Sequence, residues 1–71
     1  MTDESFNMSM RQFLKRVGVS SQRAIEEAVR EARASGTLLG RDTITATMTL
    51  TVDGLDVQHT VTGDIVVKDE T

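Results

Sequence analysis

The sequence predicts an α+β fold: two N-terminal helices packed on one face of a C-terminal antiparallel β-hairpin. Three observations carry that expectation. In the first half of the chain apolar residues recur every three or four positions, the period of a helix lying on a core. From Ile44 to Val67 they alternate instead with a period of two. Between the two alternating runs stands Asp53-Gly54, a dipeptide suited to a tight turn because Gly accepts positive φ without steric cost and Asp tolerates it.

The elements follow in chain order. Phe6, Met10, Phe13, Leu14 and Val17 fall in a stripe about 100° wide, which predicts a helix over residues 4–17. Thr2 or Asp3 can cap its start, Asp3 and Glu4 suit the positive end of the helix dipole, and Gly18 stands where a left-handed C-terminal residue is wanted. Val19 and Ser20 read as a staple residue and an N-cap for a second helix over 21–35, with Ile25, Ala28, Val29 and Ala32 inward and Ser35-Gly36 as its stop. Its outer face pairs Arg23 with Glu27 and Glu26 with Arg30 at four-residue spacing. Leu38 and Leu39 would plug the space between helices and sheet, and Gly40 would turn the chain.

The hairpin is expected over 43–52 and 55–67, followed by a frayed tail at 68–71. Ile44, Ala46, Met48, Leu50 and Val52 share one face with Leu55, Val57, Val61, Ile65 and Val67, while the odd-numbered threonines from Thr43 to Thr51 take the other. A two-residue turn pairs Leu50 with Val57 and Met48 with His59; a four-residue loop from Asp53 to Asp56 slides every partner by two. Both registers keep the faces, because parity is unchanged. Phe6 and Phe13, the only aromatic residues, are expected to lie buried against this hairpin.

Seventy-one residues without Pro, Cys, Trp or Tyr bound a single domain over 1–71 of modest stability, with neither disulfide nor cysteine-based metal available as a staple. The acidic, non-apolar N-terminus argues against a secretory signal or membrane span, and the lack of cysteine fits a cytoplasmic location. Charge is uneven. Residues 1–41 hold seven basic and five acidic groups, a balance of +2, whereas residues 42–71 hold one Lys and six acids, a balance of −5.

No catalytic constellation is legible. His59, the single histidine, falls on the apolar face beside Met48, Leu50, Val57 and Val61, with no nucleophile or metal to serve. Asp53 and Asp56 flank a turn but cannot supply the ligand set of a calcium loop. With no phosphate loop, nucleotide-binding glycine pattern or thiol motif either, the expectation is a chain that is not an enzyme and takes no cofactor, metal or small-molecule substrate.

Residues 13–22 resemble the centre of a helix-turn-helix, which makes nucleic-acid binding the alternative function. Glu26, Glu27 and Glu31 on the reading helix and an acidic hairpin argue against it. The whole chain also resembles a family of short uncharacterised bacterial proteins. The residues that carry this are Phe6-Asn7-Met8-Ser9, Phe13-Leu14-Lys15, Val17-Gly18-Val19, Ser21-Gln22-Arg23 and Met48-Thr49-Leu50-Thr51. The resemblance implies an α+β domain of unknown function, mainly alphaproteobacterial, and brings no activity, ligand or site residue.

The leading expectation is therefore a protein-interaction module whose partner is another protein or a second copy of itself. On the first helix Arg11 and Lys15 form a like-charged pair without a compensating acid, and Met8 joins them on the same outer side. On the first strand Thr45, Thr47 and Thr49 lie between Asp42 and Asp53 with no charge and no Pro to keep a further strand away. These six residues are the candidate contact positions.

Overall fold

A computed structural model describes residues 3–68. Its elements are one helix, α1 (Asp3–Ser35), and two strands, β1 (Thr43–Thr51) and β2 (Gln58–Val66), in an antiparallel two-stranded sheet. They fall into two compact units, residues 1–37 and 38–71. The expectation of capping by Thr2, and that of fraying over 69–71, lie outside the described residues.

The α+β class holds, but the two expected helices are one. At about 100° per residue, Phe6, Met10, Phe13, Leu14 and Val17 share a sector of about 120° with Ser21, Ala24, Ile25, Ala28 and Ala32, so the stripe crosses residues 18–20 without a change of phase. A turn there would have broken a face that is already continuous. Gly18 costs a helix only about 1 kcal/mol relative to Ala, and no Pro forces a break. Gly18 accordingly keeps a negative φ, in contrast to Gly36, Gly40 and Gly54.

The stop at Ser35-Gly36 is as expected, and its geometry explains why it works where Gly18 does not. Gly36 takes φ 80°, its N–H donates to the Arg33 carbonyl at 3.2 Å, and the Thr37 N–H donates to the Ala32 carbonyl at 2.9 Å. This is a Schellman closure, which satisfies carbonyls that the helix end would otherwise leave bare. The Ser35 hydroxyl adds a bond to the same Ala32 carbonyl at 3.2 Å. A turn follows in which the Arg41 N–H donates to the Leu38 carbonyl at 3.1 Å and Gly40 takes φ 80°.

In the hairpin, Ile44 pairs with Ile65, Ala46 with Gly63, Met48 with Val61, and Leu50 with His59 on one face. Thr45 pairs with Asp64, Thr47 with Thr62, and Thr49 with Thr60 on the other. This is the longer-loop register, and the turn gives the reason. The Leu55 N–H donates to the Val52 carbonyl at 3.1 Å, with Gly54 at φ 83° and Asp53 at negative φ. Positive φ at only the third turn residue is the type II pattern, whose twist opposes that of the strands, so the ladder starts further out at Thr51 and Gln58. At the open end Asp42 continues the pairing, its carbonyl accepting from the N–H groups of Val67 (2.9 Å) and Lys68 (3.2 Å).

Burial is sparse. Val67, 5% exposed, is the one buried residue among those described. Leu38, Ile44, Ala46, Leu50 and Ile65 are half-buried in the hairpin unit, as are Val17, Ser21, Ile25, Val29 and Ala32 in the helix. Phe6 and Phe13 are 54% and 48% exposed, which corrects the expectation of their burial.

Candidate interaction surfaces

The residues singled out in the sequence sort into two surfaces, one on each unit. On α1, Met8, Arg11 and Lys15 line a shallow groove together with Glu4, Asn7 and Gln12. The grouping follows from the helix alone: positions 4, 8, 11 and 15 recur at four and three residues and so stack along one side. Met8 is 62% exposed, an apolar side chain among polar ends. From Asn7 to Ile25 the chain holds Arg11, Lys15, Arg16 and Arg23 and no acid, which makes this stretch of helix locally cationic. A second groove on another side of α1 is lined by Arg16, Val19, Ser20, Arg23, Ala24 and Glu27.

On the hairpin, Thr45, Thr47 and Thr49 project from the polar face of β1, as alternation requires. Two of them are engaged across the sheet: the Thr45 hydroxyl donates to the Asp64 carboxylate at 3.1 Å, and the Thr49 and Thr60 hydroxyls share a bond at 3.4 Å. Thr47 faces Thr62 between them. Asp64 is thereby drawn to the neighbouring strand, and β1 itself carries no charged side chain over its nine residues.

The opposite face of the hairpin is apolar and largely open. Met48 (46% exposed) and Val61 (57%) pair at its centre, flanked on one side by Leu50 and His59 and on the other by the small pair Ala46 and Gly63. A Cβ at Gly63 would meet nothing within 4 Å, so the face is notched there. His59 is exposed opposite Leu50. Among the described residues no three His, Cys, Asp or Glu side chains gather as a metal site, and no helix is long and apolar enough to cross a membrane.

Where the helix-turn-helix resemblance asks for a turn, residues 13–22 are continuous helix. Sequence reasoning also missed that the apolar stripe of α1 runs unbroken past Gly18, exposed at Phe6, Met10, Phe13 and Leu14 and half-buried at Val17, Ser21, Ile25 and Ala32. The signal was present: Ala24 sits at the phase of Phe6, and Ser21 between those of Met10 and Leu14, but dividing the pattern at Gly18 hid it.

One helix followed by one antiparallel hairpin, each with an apolar face of its own, defines the class: a small α+β protein. The chain belongs to a family of unknown function (DUF6494), whose family model matches residues 1–68. No curated protein and no solved structure matches it.

Proposed function

We propose that this chain is a small, non-enzymatic protein-interaction module of the bacterial cytoplasm, acting by lending its exposed faces and the β1 edge to another chain. The observation that carries the reading is the exposure of both apolar faces: Phe6, Met10, Phe13 and Leu14 on α1, and Met48, Val61 and Leu55 on the hairpin, are all exposed. Isolated surface hydrophobes are ordinary, but contiguous apolar stripes on both units mark contact surfaces. A two-stranded sheet adds a second motive, since each of its strands keeps one unpaired edge and such a hairpin is marginal in water without cover. Strand addition to β1 would satisfy that edge by backbone hydrogen bonds, with Thr45, Thr47 and Thr49 tolerating either water or contact.

The test compares the parent with Thr47→Lys, a change on the polar face that spares the apolar one. Light scattering across a concentration series, together with affinity capture on immobilised chain, should show association that Thr47→Lys weakens at unchanged circular dichroism. A chain that neither self-associates nor captures any protein in a Thr47-sensitive manner contradicts the β1-edge reading.

A further inference from the structure

We infer that the chain received by the outer edge of β1 is a second copy of this one, its β1 running antiparallel about a two-fold axis at Thr47 and normal to the sheet. This rests on the reading of the β1 edge as a contact surface and names its occupant. Hydrogen bonding decides which backbone groups that edge offers. The Val67 N–H donates to the Asp42 carbonyl at 2.9 Å, so Asp42 and Val67 form a bonded pair of the ladder. Bonded and non-bonded pairs alternate between antiparallel strands, which makes Ile44 with Ile65, Ala46 with Gly63, Met48 with Val61 and Leu50 with His59 the bonded pairs. The N–H and C=O groups of Thr43, Thr45, Thr47, Thr49 and Thr51 therefore point away from β2. All five residues are exposed.

Geometry leaves one orientation. Two copies joined through this same edge keep their apolar faces on one side only if the strands run antiparallel. A parallel pair has to turn one copy over, setting its threonines beside Met48 and Leu50 of the other. With the axis at Thr47 the outward residues meet: Thr47 faces Thr47, Thr45 faces Thr49, and Thr43 faces Thr51, each pair placed to exchange two backbone bonds. On the apolar side Ala46 faces Met48 and Ile44 faces Leu50.

Charge favours the same register. β1 carries no charged side chain, so nothing repels along the seam, and beyond its ends Arg41 of each copy comes level with Asp53 of the other. Both are exposed and, by strand parity, fall on the threonine side. Sliding the axis by one residue keeps the faces but takes Arg41 off Asp53 and shortens the overlap. The β2 edge is the poorer seam, because Asp64 stands on it, a charge of the kind that keeps strands from adding. Joining β1 to β1 leaves Asp64 on both outer edges, so assembly closes at two copies. The product is a four-stranded sheet with one apolar face, where the two-stranded hairpin alone is marginal.

The axis itself supplies the test. A side chain at position 47 meets its own copy, so Thr47→Lys and Thr47→Glu should each weaken dimerisation of the full chain roughly five-fold by opposing like charges. An equimolar mixture sets Lys against Glu and should restore association to near the parent's. Sedimentation equilibrium from micromolar to millimolar concentration reads both, with circular dichroism unchanged throughout. A mixture no tighter than either variant alone overturns the two-fold seam, as does a parent dimer that neither substitution weakens. A parent that stays monomeric at millimolar concentration, yet captures a different protein in a Thr47-sensitive manner, removes the second copy and leaves the β1-edge reading standing. A parent that does neither removes both.

Discussion

Gly18 is the position where the continuous helix and a two-helix arrangement make opposite demands. Within α1 it has helical φ, and an added Cβ would meet nothing within 4 Å. Gly18→Ala should therefore raise stability by about 0.8–1.0 kcal/mol, the difference between Ala and Gly in a helix interior, with part of the gain arising from a less flexible unfolded chain. Gly36→Ala provides the reference for the other case, because φ 80° places it in the left-handed region where a Cβ costs about 1–2 kcal/mol. The two substitutions are chemically identical and should differ by about 2–3 kcal/mol in stability, with opposite signs. In a chain of this size 1 kcal/mol moves Tm by about 4–8 °C, well within reach of thermal melts followed by far-ultraviolet circular dichroism at fixed protein concentration. Destabilisation by Gly18→Ala comparable to that by Gly36→Ala would mean that Gly18 ends a helix, and the continuous stripe would fall with it.

Three further outcomes are expected. Gly54→Ala should lower stability by about 1–2 kcal/mol, since Gly54 holds φ 83° at the hairpin turn; an unchanged melt would argue against that turn. Gly63→Ala should be neutral or stabilising by up to about 1 kcal/mol, because the strand position has open space for a Cβ, and a marked loss would show that something seats in the notch. Duplex DNA should bind at most weakly, with affinity collapsing as salt rises, because four acids and no Lys or Arg lie between Arg41 and Lys68. A salt-resistant gel shift abolished by Arg23→Ala would count against this expectation.

The hairpin was legible because its side chains report parity directly: Ile44, Met48 and Leu50 share a face with Val61 and Ile65 whichever register is chosen. Register was less accessible, since it depends on whether Asp53 adopts positive φ, and residue type leaves both choices open. The Gly36 stop and the Gly40 turn were readable from composition, and both glycines take positive φ. The joint at Gly18 used the same residue types and was not a joint. Capping residues state what a break can tolerate, whereas the phase of the flanking apolar residues states whether a break is needed; Val17 and Ser21, four apart and both half-buried, carry the face straight through.

The candidate contact residues divide in the same way. Met8, Arg11 and Lys15 line one groove because helical spacing alone brings them together. Thr45 and Thr49 were placed on the right face, but their bonds to Asp64 and Thr60 follow from the register and so escaped the sequence. The stripe from Phe6 to Ala32 went unread as a surface because apolar periodicity shows which face wants cover and not which chain supplies it.

Sedimentation equilibrium of the intact chain from micromolar to millimolar concentration, run beside Thr47→Lys and paired with affinity capture on immobilised chain, tests the central claim that the β1 edge receives another chain. The account predicts association of the 7.8 kDa chain, with itself or with a captured protein, that Thr47→Lys weakens at unchanged circular dichroism. A monomer throughout that captures nothing, or association indifferent to Thr47, would contradict it.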